Sequence, residues 1–275
     1  MLKKLNFLIK TAIFTAISIF ILTCFMDRML FSYDSNETLI NGIASLQKAY
    51  NEWDENEFQQ SLLIFKEARG SFSNEGLAEY WCGTAYFFLS LHNLFSPGEK
   101  PDKTKGVENA KKGIEILTKS IELMPDFSES YAMRGVLRGI LIKMKPFSVF
   151  TQGPKVGKDR DKALSLDEDN PRVHYLTGVS FWFAPEILGG PEKAMEHLLR
   201  AEILFEKEQQ TKKDKILPTW GQSTCLAFMG DIYMSQNQKD KAVNYYKKAL
   251  NANPEDLLAL KGLKKAEGRG YSDSD

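Results

Sequence analysis

One stretch near the C-terminus constrains the fold more than any other feature, because small and aromatic residues recur in it at fixed spacing. Counted from Ser223 as position 1, template positions 8, 11, 20, 24, 27 and 32 hold Gly230, Tyr233, Ala242, Tyr246, Ala249 and Pro254. Small residues let two antiparallel helices approach closely, aromatic rings fill the space between them, and a proline stops the second helix. The spacing therefore predicts a pair of packed helices.

This segment closely resembles the tetratricopeptide repeat family. The same template fits earlier segments with decreasing fidelity, each interrupted by an insertion. From Pro171 the matching residues are Gly178, Phe181, Ala194, Leu198 and Ala201; from Ser128 they are Gly135 and Ala163; from Gly76 they are Gly83, Tyr86, Ser120 and Pro125. A first unit, from about Gly42, offers only Ala49, Phe65 and Ala68.

The resemblance implies an all-α fold, a right-handed superhelical solenoid of antiparallel helix pairs over residues 42–270. The units are expected over 42–75, 76–127, 128–170, 171–210 and 223–256. A single pair cannot bury its own apolar face, so stacked neighbours form the core and the last unit needs a polar cap. Residues 255–268 are expected to form that amphipathic capping helix with its lysines outward, before a polar tail over 271–275.

The sequence of residues 1–32 indicates a signal peptide or a signal-anchor transmembrane helix. Three lysines precede the charge-free run Thr11–Met26. Lysines on this side favour a cytoplasmic N-terminus, which places the repeats on the periplasmic side of a bacterial inner membrane. Three fates stay open: a retained anchor, cleavage, or lipidation at Cys24, where Thr23 departs from the usual small residue of a lipobox.

Charge and cysteine content exclude several classes of protein. The chain has 36 basic and 36 acidic residues, scattered along its length, so no net field draws in nucleic acid. Its three cysteines are too few and too far apart for a disulfide framework or a metal knuckle. Cys82 and Cys225 are therefore interpreted as small buried residues.

No catalytic, cofactor-binding or metal-binding pattern stands out. Gly153–Asp159 lacks the spacing and the preceding strand of a phosphate-binding loop, so we interpret it as a glycine-rich turn. His92, His174 and His197 are far apart, and none has the spacing of a helical metal pair. We therefore predict a protein with no cofactor and no metal, and not an enzyme.

Binding is the function that the resemblance implies, since repeat solenoids present an extended concave surface. The first hypothesis is an exported, membrane-tethered scaffold or assembly factor of the cell envelope that holds a protein or peptide partner. The alternative is capture of a small hydrophobic molecule, as in the tetratricopeptide subunits associated with periplasmic TRAP-type solute transporters. A closed pocket would favour capture, and an open groove would favour the scaffold.

The candidate binding residues follow from the family's geometry, in which positions 2, 5, 9 and 12 of the first helix face the concave side. This rule selects Leu77, Tyr80, Thr84 and Phe87 in the second unit, and Arg172, Tyr175, Val179 and Trp182 in the fourth. Rigid aromatic rings and arginine are the usual anchors of binding energy. The competing interpretation is that loops and neighbouring helices cover these rings and make them core.

Overall fold

The computed structural model describes residues 36–69, 74–96, 100–184, 190–210 and 214–268. These residues are almost entirely helical. We number the helices α1 (36–52), α2 (Glu55–Ala68), α3 (Glu75–Phe95), α4 (Lys103–Leu123), α5 (Ser128–Met144), α6 (Val149–Leu166), α7 (Pro171–Trp182), α8 (Gly190–Glu208), α9 (Gln222–Ser235), α10 (Lys239–Ala252) and α11 (Leu257–Ala266). A short 3-10 turn, Pro146–Ser148, joins α5 to α6.

Several helices begin where a side chain accepts the free backbone N–H groups of the first turn. The carboxylate of Asp54 accepts the amides of Asn56 and Glu57 at the start of α2. The side chain of Asn170 caps α7 in the same way, and Pro171 follows at the first helical position, where its missing N–H costs nothing. Polar residues between apolar runs therefore set the helix boundaries.

Consecutive helices pack as antiparallel pairs whose first helices form an inner layer. α3 packs on α4, α5 on α6, α7 on α8 and α9 on α10, and α5 also contacts both α3 and α7. The pairs meet at small residues, as the template predicts: a β-carbon added at Gly83 would lie 2.5 Å from a methyl carbon of Leu117, and one at Gly230 would lie 2.6 Å from the ring of Tyr246. The side chains of Leu117 and Tyr246 therefore occupy the space that a β-carbon at these glycines would need.

The core follows from this layering. α3 is buried along nearly its whole length, which is expected of a helix that is apolar on all sides. α4 and α10, on the outer layer, are instead amphipathic and bury one stripe each, which includes Ala110 and Leu117 in α4 and Ala242 and Ala249 in α10. The inner layer is therefore the centre of the molecule.

The glycine-rich turn expected at Gly153–Asp159 is wrong, because these residues are helical within α6. Pro154 stands in the second turn of that helix, so it removes a single backbone hydrogen bond. The helix is held against α5 by Asp159, which is buried and pairs with the guanidinium groups of Arg134 and Arg138. This ion-paired contact outweighs the local preference of glycine and proline.

The two ends of the array touch one another. The hydroxyl of Tyr50, in α1, donates to the buried carboxylate of Asp256, at the start of α11, over 2.8 Å. Asn51 donates to Glu255 over 2.6 Å and accepts from Asn253 over 2.8 Å. The inner surface is therefore enclosed by contact between the first and last units.

The expected signal or membrane helix, residues 1–32, lies outside the described residues. Of the helices that are described, none has the length and apolar character needed to cross a bilayer.

Candidate functional site

A segment of the chain's own backbone, residues 214–221, lies across the inner surface; we call it the crossing segment. The indole N–H of Trp81, in α3, donates to the main-chain carbonyl of Ile216 over 2.9 Å. The indole N–H of Trp220 donates to the hydroxyl of Tyr80 over 2.9 Å. The ring of Trp220 also packs edge-on against Phe88, with centroids 5.7 Å apart. The crossing segment is thus held by both main-chain and side-chain contacts.

A fully buried arginine joins the crossing segment to α5, α7 and α8. The guanidinium of Arg172 donates to Glu129 over 2.8 Å, binds Glu208 through two nitrogens at 2.8 and 2.5 Å, and donates to the carbonyl of Trp220 over 3.1 Å. Glu129 also accepts the hydroxyl of Tyr80 over 2.7 Å. Although burial alone would lower the pKa of Arg172, the charges of the two glutamates raise it above its ordinary value.

The structure gathers the candidate binding residues on the inner side but buries them. Leu77, Tyr80, Thr84, Phe87, Arg172, Tyr175 and Val179 are all at most 5 % exposed, and Trp182 is partly buried. Tyr80 and Arg172 are engaged by the crossing segment, and the Thr84 hydroxyl donates to the backbone of its own helix. Direct contact with a macromolecular partner would require displacement of that segment, so the assignment of these residues to a partner groove stays a prediction.

Phe87, Tyr175 and Val179 instead face a central cavity of about 650 Å³. Its apolar wall comes from α1, α3, α7, α9, α10 and α11 and from the residues that directly follow α1 and α7. The wall consists of Tyr50, Trp53, Phe87, Phe88, Leu91, Phe95, Tyr175, Val179, Phe183, Ala227, Phe228, Met234, Tyr246 and Leu258. Phe95 and Phe183 are 38 % and 40 % exposed, so the cavity reaches the surface at these two rings. The result is an aromatic chamber open at one edge.

One wall of the cavity carries charge. Asp231, Lys261 and Lys265 line it, the first from α9 and the others from α11. Burial raises the pKa of Asp231, while the hydroxyl of Tyr246, donating over 2.6 Å, and the charge of Lys265 act in the opposite direction. Lys265 is exposed and Lys261 is partly exposed, in keeping with the outward lysines expected of the capping helix, although both border the cavity.

A lysine covers the open edge of the cavity. The ammonium group of Lys143, at the end of α5, lies 4.0 Å from the ring centroid of Phe183 and 4.9 Å from that of Phe95. Lys143 is exposed as a whole, but partial desolvation of its ammonium group lowers its pKa. The cavity therefore has cationic groups at its mouth and on its inner wall.

Two of the histidines meet, although their sequence spacing does not indicate it. The Nδ1 atoms of His174 and His197 lie 3.0 Å apart, and Nε2 of His174 lies 2.8 Å from the carbonyl oxygen of Glu168. Burial lowers the pKa of both rings, that of His197 to about 4. Within the described ranges no group of three or more potential metal ligands is found.

The two cysteines in the described part of the chain lie in surroundings that disfavour their reactive thiolate form. Cys82 and Cys225 are both buried and free. Burial raises the pKa of the Cys82 thiol to about 12 and that of Cys225 as well, which disfavours the nucleophilic thiolate. That the protein is not an enzyme stays a prediction.

Comparison with known proteins supports the repeat assignment. The family model described as tetratricopeptide repeat matches residues 224–256, which hold most of α9 and all of α10. The chain contains a tetratricopeptide repeat. Its sequence has no significant match among curated proteins.

Solved structures with the same kind of helical array are similar over most of the chain. The HusA haemophore of Porphyromonas gingivalis is 18% identical, with a TM-score of 0.57, covering 69% of this chain and 88% of its own. TTC0263, a thermophilic tetratricopeptide protein of Thermus thermophilus, is 17% identical, with a TM-score of 0.53, covering 82% of this chain and 98% of its own. These likenesses concern the fold alone.

Sequence reasoning missed several residues of the site. Trp220 lies between two units, and Phe228, Asp231, Lys261 and Lys265 occupy positions that the template does not single out. One signal was present, since a tryptophan in a linker between repeats is costly to leave in water and indicates a buried contact.

Proposed function

We propose that this protein captures a small, largely apolar molecule that carries an anionic group. The observation that carries the proposal is the central cavity of about 650 Å³ with aromatic walls. Small-molecule sites typically have volumes of about 300–1,000 Å³, with apolar walls and a few polar groups that orient the ligand. Contact between the first and last units leaves a chamber with a single open edge, which favours this alternative over an open scaffold.

The charged wall selects the chemistry of the ligand. Two lysines, Lys261 and Lys265, and one aspartate, Asp231, line this wall, so its formal charge is positive and suits an anionic group. The remaining wall offers aromatic faces and edges, which suit a planar or aliphatic body. HusA, which shares this fold, is named a haemophore.

A fluorescent apolar anion, 1-anilinonaphthalene-8-sulfonate, tests the proposal directly. Val179→Trp and, from the opposite wall, Ala227→Phe should fill the cavity and weaken binding of the dye roughly tenfold or more. Leu199→Trp is the matched control, because Leu199 is 43 % exposed on α8 and does not line the cavity. Melting curves of all variants verify that they are folded.

Reversing a charge on the lysine wall distinguishes its contribution to binding from that of the apolar wall. Lys261→Glu should weaken the anionic dye while binding of a neutral probe, N-phenyl-1-naphthylamine, is retained. If both cavity-filling variants stay folded and bind the anionic dye as the parent does, the cavity is not the binding site.

We further propose that the repeats lie outside the cytoplasmic membrane of a bacterium, tethered or released through residues 1–32. The supporting observation is the charge-free run after three lysines. A reporter that is active only in the cytoplasm, joined after Asp275, should be inactive. Activity of that fusion would contradict export.

A peptide or protein partner on the inner surface is the second candidate, and the crossing segment itself favours it. Trp81 and Arg172 bind main-chain carbonyls of that segment, as they would bind those of a foreign peptide. A neighbouring groove of about 370 Å³ adds the amide side chains of Gln47 and Gln222. The surface therefore accepts an extended chain.

A synthetic copy of residues 214–221 tests this second candidate. Trp220→Ala should loosen the crossing segment, and the labelled peptide should then bind the variant more tightly than the parent. If the peptide fails to bind the folded Trp220→Ala variant, the proposal of peptide binding at this surface is wrong. That result would not bear on the dye-binding proposal.

A further inference from the structure

Two phenylalanine rings are exposed where α6 begins: Phe147 lies in the 3-10 turn before α6, and Phe150 lies in the first turn of α6. Phe147 is 90 % exposed and Phe150 is 81 % exposed, whereas the other large apolar side chains described as exposed reach at most 52 %. Val149, at 39 %, lies between them. Single exposed apolar residues are common on protein surfaces, but two rings this exposed within four residues of the chain are not explained by packing.

The surroundings of these rings are basic. No acidic residue occurs from residue 143 to residue 158, and the lysines in this stretch, Lys143, Lys145, Lys155 and Lys158, are all exposed. The following carboxylate, Asp159, is buried between Arg134 and Arg138. The stretch therefore presents a positive, aromatic tip.

Nearby carboxylates on packed elements do not neutralise this tip. Asp161 pairs with Arg160 over 3.0 Å, and Glu108 of α4 pairs with Lys112 over 2.7 Å. Lys103 and Lys111 of α4 lie around the same shallow surface as Lys145 and extend the positive charge.

We propose that residues 145–158 form a docking tip for the surface of an anionic lipid bilayer. Aromatic rings favour the boundary between headgroups and acyl chains, and lysines near an anionic membrane are attracted to its surface charge. Protein partners usually require an interface of about 800 Å² on each side with a well-packed centre. Two projecting rings with flexible lysines offer no such surface, whereas lipids conform to them.

The test uses the full chain, reconstituted in lipid nanodiscs, with Cys24→Ser in every sample and an environment-sensitive NBD label at Thr151→Cys. Thr151 is exposed next to Phe150, while the other cysteines are buried. In discs that contain phosphatidylglycerol, the label should brighten roughly twofold or more and shift to the blue, as it enters the interface. Discs of phosphatidylcholine alone should give a smaller change, and high salt should reverse it.

Substitutions distinguish docking from a general effect of the membrane. Phe147→Ala/Phe150→Ala and Lys155→Glu/Lys158→Glu should each abolish the brightening. Leu199→Ala/Ile203→Ala, a matched pair of half-exposed apolar residues on α8, should preserve it. Brightening that survives loss of both phenylalanines, or that is equal in neutral and anionic discs, overturns the proposal. So does brightening that occurs only after a soluble protein fraction is added.

Discussion

Removal of the buried guanidinium of Arg172 should destabilise the protein more than any surface change. In Arg172→Met the side chain keeps an unbranched apolar stem but loses the donors to Glu129, Glu208 and the carbonyl of Trp220. Glu129 is 2 % exposed, and the side chain of Glu208 is 12 % exposed, so water replaces the lost cation poorly. Breaking a buried ion pair from one side costs about 3–5 kcal/mol, and we expect a loss of this size.

Urea unfolding followed by circular dichroism measures the loss. Arg200→Met is the matched control, because Arg200 pairs with Asp169 while their side chains are 43% and 71% exposed, and exposed pairs contribute about 0–1 kcal/mol. Adding Glu129→Gln to Arg172→Met removes one unpaired charge and should recover about 1 kcal/mol or more. A loss under about 1 kcal/mol for Arg172→Met, equal to that of the control, would refute the argument from burial and charge.

Three further predictions concern packing and pH. Ala249→Leu should lower the free energy of unfolding by about 1–3 kcal/mol, because Ala249 is fully buried and a larger side chain overpacks the helix pair. A melting temperature equal to that of the parent would show that Ala249 does not lie in this close contact. The raised pKa of Asp231 means that its contribution to stability is present below the ordinary value of 3.8 and lost as pH rises through the folded pKa. Asp231→Asn should therefore melt higher than the parent at pH 7, and the difference should vanish below 3.8. For His197, whose pKa falls from 6.5 to about 4, stability is lost as pH falls across that range, and His197→Gln should flatten the dependence of melting temperature on pH.

The fold was predictable where the determining contacts are local. The template residues Gly230 and Tyr246 contact each other within one unit, and α10 ends at Ala252, just before Pro254. The prediction failed at Gly153–Asp159, where the deciding interaction is the pairing of Asp159 with arginines of another helix. Glycine and proline alone could not indicate that contact.

The candidate site was less predictable, because it is built from residues that no repeat spacing relates. Trp220 reaches Tyr80, which lies 140 positions earlier in the chain. The rule for the concave face found Phe87, Tyr175 and Val179, which do line the cavity, but it carries no information about the crossing segment that covers their neighbours. Such coverage depends on the path of a linker, which repeat periodicity does not encode.

Contact between the first and last units has a consequence for the order of folding. In an open solenoid each unit needs only its neighbours, so structure can spread from any point along the array. Here the hydroxyl of Tyr50 pairs with Asp256, 206 residues later, so the mean sequence separation of native contacts rises and folding slows. The N-terminal pair emerges first during synthesis, yet its inner edge stays open until the final helix arrives. A chain shortened by only its last helix would therefore expose aromatic side chains at the opposite end of the molecule.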